Sequence, residues 1–432
     1  MRILLVGAGG VGDAFAKIAA RRSFFDALIV TDYNLERAER TVAAVREQFP
    51  SEQRLVADRV NASSSDSISD AIRKHRATHV LNAVDPRFVM PIFIGAYQAG
   101  ADYLDMAMSL SKPHLQRPYE VPGVKLGDEQ FALDEQWRSA GRLALVGIGV
   151  EPGLSNVFAR YAADHLFDHI EELGTRDGSN LTVDGYDFAP SFSIWTTIEE
   201  CLNPPVIFER DRGWYTTEPF SEPEIFDFPG GIGPVECVNV EHEEVLMMPR
   251  WLEADRVTFK YGLGSEFIDV LRTLHKLGLD RTDPVSVKGL SAGGAHGGIV
   301  PTGNVMVSPR DVVAACLPDP ATLGDAMHGA TCAGLYVRGT KDGRPREAYL
   351  SHVVDNADSM RDYHAQCVVW QTAVNPAVAL ELLASGTWSG SGVVGPETFD
   401  AVPYLELLKA PTPQGYDSPW TLQELTNPPT KA

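Results

Sequence analysis

The 432-residue sequence predicts an α/β protein: an N-terminal doubly wound parallel sheet, followed by a second, α+β domain built on a mixed sheet. Three observations carry this. Short, uninterrupted apolar runs alternate with helical periodicity through residues 1–150, the pattern of strands covered on both faces. A glycine-rich turn joins the first run to the first helix. Beyond Glu151-Pro152-Gly153, strand-like pieces are split by prolines such as Pro204-Pro205, Glu218-Pro219 and Phe228-Pro229, as suits a mixed sheet with long loops.

The elements follow in order. Ile3-Leu4-Leu5-Val6 reads as the first strand, and Gly7-Ala8-Gly9-Gly10-Val11-Gly12 is a full G-x-G-x-x-G. Ala14, Phe15, Ile18 and Ala19 then recur at helical spacing, and Leu28–Thr31 reads as the second strand. In this strand–turn–helix–strand setting the motif is the dinucleotide fingerprint of a Rossmann domain. Gly7 permits the tight turn, Gly9 lets the backbone approach a pyrophosphate, and Gly12 lets helix and strand pack closely. Gly7, Gly9, Gly10, Val11 and Gly12 are therefore candidate cofactor residues. Asp32 ends the second strand, twenty positions after Gly12. A carboxylate there accepts the ribose hydroxyls and repels a 2′-phosphate, so NAD(H) is expected over NADP(H).

Arg54–Asp58, Thr78–Val84, Tyr103–Asp105 and Leu143–Val150 read as further strands, with helices at Ile68–His75 and Met90–Ala99. Ligands of such sheets bind at the carboxyl ends of the strands. That rule adds Asp58, Asn82 and Ala83 as cofactor candidates, and brings Asp105 and Glu151 to the same edge. In the second region Leu154–Phe167 is expected to be helical, with Asn156 near its start. Phe267–Leu277 and Pro376–Ala384 are also helical, and a hairpin turns at Asp342-Gly343. The glycine-rich stretch Ser291–Asn304 reads as a surface insertion, with a mobile lid carrying His296 as the alternative.

Composition narrows the partners. Lys and Arg total 37 against 58 Asp and Glu, a formal charge of −21, which argues against nucleic acid and anionic membranes as partners. Five scattered cysteines without C-x2-C spacing suit reduced thiols in the cytoplasm. No run approaches a membrane span, no His/Cys/Asp cluster has metal-ligand spacing, and no G-x-S-x-G nucleophile motif occurs. No metal is expected, and the partner is a small molecule.

The fingerprint, Tyr103-Leu104-Asp105, Gly149–Asn156 (GVEPGLSN), Tyr261-Gly262, Ser308–Asp311 (SPRD) and Gly395–Asp400 (GPETFD) together resemble the saccharopine dehydrogenase family over nearly the whole chain. Val240–Glu244 (VEHEE) and Gly185–Ser193 are similar to its carboxynorspermidine dehydrogenase branch. Lysine 6-dehydrogenase and glutamate-forming saccharopine reductases are other relatives. The resemblance implies a Rossmann domain at 1–150, completed by about 390–432, and a substrate-binding and dimerisation domain at 151–390. It implies a homodimer and NAD(P)-dependent oxidation of a C–N bond in an amino-acid or polyamine conjugate, through an imine. Glu151 stands where many relatives have Asp.

That chemistry needs a proton-transfer group of near-neutral pKa. Asp105, at a strand end, and His242, raised by Glu243 and Glu244, are the acid/base candidates. Glu151 and Asn156 begin the second domain and are expected to face the cleft. A carboxylate-bearing substrate also needs cations, and Arg176, Arg250 and Lys260 are candidates by type. The alternative of another class is a non-catalytic dinucleotide sensor, which would have no use for Asp105, Glu151 and His242 as a set.

Overall fold

In the computed structural model, which describes residues 1–292, 299–425 and 429–431, the early apolar runs form a seven-stranded, wholly parallel sheet. From edge to edge its order is Gly392–Val394, Leu143–Leu145, Asp102–Asp105, His79–Asn82, Arg2–Val6, Ala27–Asp32, Leu55–Arg59. Leu4, Leu5, Leu28, Val30, Val80 and Leu81 are fully buried, because helices cover both faces. The chain winds outward from Arg2–Val6 to Leu55–Arg59 and then returns to His79–Asn82 on the other side of the first strand. A crevice opens at that reversal, and helix Gly10–Ala20 starts at it. Asn34 and Ser64 cap the next two helices by accepting from the backbone N–H groups of Glu36 and Ser67.

The second sheet is ten-stranded and mixed. Strand His169–Ser179 lies parallel to Arg256–Gly262 and antiparallel to Ala330–Lys341. Ala330–Lys341 and Arg344–Asp355 form a long hairpin whose turn residues Asp342 and Gly343 have φ of 51° and 71°. Two positive φ values in succession match the right-handed twist of the strands they join.

The structure corrects the sequence reading in three places. The tail is divided between the units. Gly392–Val394 extends the parallel sheet beside Leu143–Leu145, but Thr421–Glu424 pairs with Arg344–Asp355 and Thr430–Lys431 with Glu224–Ile225 in the mixed sheet. The helix expected at Pro376–Ala384 begins at Cys367, capped by the side chain of Gln366, and accommodates Pro376 within it. This 18-residue helix is long and apolar enough to cross a membrane, yet 72% of it is buried, and it packs along helix Gly10–Ala20. Arg22 clamps it by pairing with both oxygens of Glu381 at 2.7 and 2.9 Å. The strand expected to reach Val150 ends at Leu145, where the backbone turns through Gly147 at φ 65°. Around the glycine-rich stretch, Val285–Ala292 and Ile299–Val307 pair as a two-stranded ribbon. His296 lies outside the described residues.

Candidate active site

The glycine turn has the shape its sequence demands. Gly7 adopts φ 105°, and a Cβ there would lie 2.6 Å from the carbonyl oxygen of Ala83. A Cβ at Gly12 would lie 2.0 Å from the carbonyl oxygen of Gly7, so helix and turn touch backbone to backbone. At Gly9 nothing lies within 4 Å of the Cβ position, which leaves that face open to a ligand. The free N–H groups of the helix start there and favour phosphate. Asp32 braces the turn: its Oδ2 accepts from the Ala8 N–H at 3.0 Å and its Oδ1 from the Asn34 N–H at 2.9 Å. Both oxygens keep a lone pair for a ribose hydroxyl. These residues fit a dinucleotide.

From this turn a cleft of about 590 Å³ runs between the two sheets. Gly10, Val11, Asn82 and Ala83 line its first-sheet end. Its charged lining is acidic: Asp85, Glu151, Asp177, Glu200, Glu243 and Asp319. His242 is the one basic side chain there, and among the described residues no Lys or Arg lines the cleft. Phe192, Trp195, Phe259 and Tyr261 supply aromatic walls.

Burial governs the electrostatics. It pushes Asp177 up to about 7 and Glu200 up to about 8, with Glu244 adding to both shifts and His242 opposing them. Burial also lifts Glu151 and Glu243 above the usual carboxylate range. For His242 burial opposes the charge, but Glu244 hydrogen-bonded at Nδ1, with Glu243 and Glu200 nearby, prevails and raises it to about 10. The imidazole stacks on Phe259 with centroids 3.8 Å apart and planes 4° from parallel. The donor atoms of His242, Glu243 and Glu244 lie within 4.8 Å of one another, as a metal site would require, but Nδ1 is taken by Glu244. Ser155 Oγ donates to Glu244, and the Met108 N–H to Glu243.

All these groups hold protons more tightly when folded than when unfolded, so the native state gains stability from them at low pH. The carboxyl contribution is lost as pH rises through about 7 to 8, and the His242 contribution as pH rises through about 10. The melting temperature is therefore expected to fall as the pH is raised from mildly acidic to alkaline. A calorimetric scan that shows a rise instead contradicts the charge states assigned here.

Several residues singled out from the sequence sit elsewhere. Asp105 is fully buried beneath the cleft and does not line it: its carboxylate accepts from the Gly147 N–H at 2.7 Å and from Gln130 at 2.8 Å. Asp58 faces Lys74 and His75 at 2.7 and 2.6 Å, and those partners hold it down at about 2 despite burial. Arg250 lies over Phe131 with Asp128 3.8 Å away, outside the cleft. Arg176 and Lys260 are register neighbours on adjacent strands, and both pair with Glu224 at 2.5 Å. Strand alternation puts their successors, Asp177 and Tyr261, on the cleft side instead. Asn156 is fully buried and structural: it accepts from the Gly153 N–H at 2.8 Å and donates to Glu397 at 2.6 Å. Glu151, His242, Asn82 and Ala83 do reach the cleft. Asn82 spends its side chain on Tyr103 and the Val84 N–H. Asp177 and Glu200 were missed; the alternation beside Arg176 was the available signal for the first.

Comparison with known proteins places this geometry. Residues 3–145 match the saccharopine dehydrogenase NADP binding domain, and residues 149–412 match the saccharopine dehydrogenase C-terminal domain. Carboxynorspermidine synthase of Vibrio alginolyticus is 29% identical over 429 residues, covering 98% of this chain and 97% of the relative. Carboxyaminopropylagmatine dehydrogenase of Synechocystis is 28% identical over 416 residues, covering 94% and 95%. Apo saccharopine dehydrogenase (L-Glu forming) of Saccharomyces cerevisiae shares the fold, with a TM-score of 0.66 at 14% identity over 98% of this chain and 100% of that one. Both sheets are thus accounted for by one lineage, and the chain belongs to the saccharopine dehydrogenase family, as an NAD(P)-dependent oxidoreductase acting on CH–NH bonds.

Proposed function

We propose that the bond is the secondary amine joining a polyamine to an amino acid, in a conjugate of the carboxynorspermidine type. The acidic, aromatic cleft carries this reading. A conjugate of two amino acids brings several carboxylates and meets no lining Lys or Arg among the described residues. A polyamine brings ammonium groups, which suit Asp177 and Glu200, and methylene stems, which suit Phe192, Trp195 and Tyr261. The names of the relatives above agree with this choice.

The Gly7–Gly12 turn, Asp32, Asn82 and Ala83 hold the dinucleotide, which takes or returns the hydride when bound. His242, held as an imidazolium by Glu244, keeps its proton at neutral pH and does not accept one. The test is direct. Carboxynorspermidine or carboxyaminopropylagmatine with NAD⁺ or NADP⁺ should raise the reduced-nicotinamide absorbance, and saccharopine should not. Turnover of saccharopine alone would overturn the reading.

NAD(H) is the proposed preference. A 2′-phosphate would meet the Asp32 carboxylate, while Arg37 is exposed with its guanidinium 4.0 Å from Asp32. Asp32→Ala is expected to shift the NADH:NADPH ratio of kcat/KM about tenfold toward NADPH, roughly 1.4 kcal/mol. An unchanged ratio would show that Asp32 only braces the turn. A homodimer and a cytoplasmic location are also proposed. The exposed cross-strand pair Val287 and Val305 on the ribbon supports the first, and five free cysteines, four of them buried, support the second. Sedimentation at micromolar concentration checks the dimer.

A further inference from the structure

The proposed function leaves the acceptor of the amine proton unnamed, and His242 is already protonated at neutral pH. We propose that Glu151 and Asp177 are a proton-sharing carboxyl pair that serves as general base in amine oxidation and as general acid in the reverse direction. The inference rests on the CH–NH chemistry proposed above.

Two strands and the interdomain turn build the pair. Glu151 stands at the turn where the second domain begins, and its Oε1 accepts from the Gly334 N–H at 3.2 Å. Its Oε2 is buried and receives no hydrogen bond from any donor among the described residues. Asp177 projects from His169–Ser179 into the same cleft, beside Glu151, and each carboxyl group shifts the proton affinity of the other. Two neighbouring carboxyl groups buried in one cleft do not both ionise at neutral pH, so they are left to share a proton. That proton also satisfies the otherwise orphaned oxygen, whose burial unpaired would cost roughly 1–3 kcal/mol. The titratable groups facing the pair are Glu244 and His242, Glu200 from helix Ile194–Leu202, Cys237 from Gly233–Asn239, Tyr261 from Arg256–Gly262, Cys332 from Ala330–Lys341 and Tyr349 from Arg344–Asp355. Burial and Glu244 oppose ionisation of Asp177, Glu151 and His242 favour it, and the balance leaves Asp177 titrating at about 7 with Glu151 holding its proton more tightly.

The step balances as follows. The substrate enters as a secondary ammonium and gives one N–H proton to the ionised oxygen of the pair. The adjacent carbon loses its hydrogen with the bonding electrons to the nicotinamide, and C–N becomes C=N⁺–H. Water then adds at carbon and the C–N bond breaks, giving a carbonyl and an ammonium with no further change in protons. The pair passes its extra proton to solvent before the next turnover.

The test uses Asp177→Asn, Glu151→Gln and Glu151→Asp in the full chain. Oxidation of carboxynorspermidine is expected to slow about 100-fold or more in the first two, the scale of a lost general base. In Asp177→Asn the rate should lose its acid limb near neutrality and keep rising with hydroxide. Glu151→Asp should retain turnover within about tenfold, and unchanged NADH fluorescence titrations show that each variant folds. Without substrate, the infrared band of protonated carboxyl groups gives a second readout. Asp177→Asn and Glu151→Gln should each remove the same component, because one proton serves both groups. Separate components, or none lost, would overturn the pair. Normal turnover in both variants, with an active wild type, overturns the base role alone. A wild type that oxidises neither conjugate overturns that role together with the proposed function.

Discussion

Gly12→Ala is expected to weaken NADH binding at least about 100-fold, roughly 2.7 kcal/mol, in a fluorescence titration. The added methyl would sit 2.0 Å from the Gly7 carbonyl oxygen and 3.0 Å from its carbon. Both are backbone atoms of a turn whose shape is fixed by the positive φ of Gly7, where even a Cβ would collide with Val84 and Ala83. The helix must lift, and its free N–H groups move off the phosphates. Gly9→Ala is the informative contrast. Its Cβ meets no protein atom, so the variant should melt like the wild type and lose affinity only through the ligand. Equal binding by Gly12→Ala and the wild type would remove this turn from the cofactor site.

The second large effect is expected at Glu200. Glu200→Gln keeps the shape of the cleft but removes a charge from the ammonium wall. Norspermidine binding, followed by calorimetry, should weaken by roughly 10- to 100-fold, the worth of a charge-assisted hydrogen bond of about 1.5–3 kcal/mol. The pH dependence gives the sharper signature. Burial pushes Glu200 up to about 8, so wild-type affinity should climb as the group ionises through that pH, and the variant should lose the climb. The stability effect has the opposite sense. A carboxyl with a raised pKa costs the folded state more as it ionises, so the variant should melt higher than the wild type on the alkaline side of about 8. Unaltered norspermidine affinity would show that the amine binds elsewhere.

Local pattern made much of the fold legible. The glycine fingerprint, its flanking strands and Asp32 lie within one continuous stretch whose spacing is set by backbone sterics, so the sequence alone locates them. The Asp342-Gly343 turn is legible for the same reason. The second half of the site depends on which face of a strand looks inward. Arg176 and Asp177 are consecutive, as are Lys260 and Tyr261, and nothing local tells the two faces apart. Charge type pointed to the Arg and Lys, whereas the mixed sheet closes over them with Glu224 and turns the acid and the phenol to the cleft. The rule of strand ends brought Asp105 to the right edge, but it does not give side-chain direction, and Gly147 and Gln130 draw the carboxylate inward. Glu200 came from a helix whose neighbour in space is remote in sequence, so no spacing signalled it.

The late return of the chain to its first sheet constrains how the molecule can be taken apart. Residues 1–145 by themselves would bare Leu143–Leu145 as an open sheet edge and uncover the flank of Gly10–Ala20 on which Cys367–Ala384 packs. An excised cofactor module therefore needs two polypeptides, with the segment from Gln366 through Lys409 supplied in trans, and the two should copurify. The cut between the family's two halves in the gene is not a cut in the folded object.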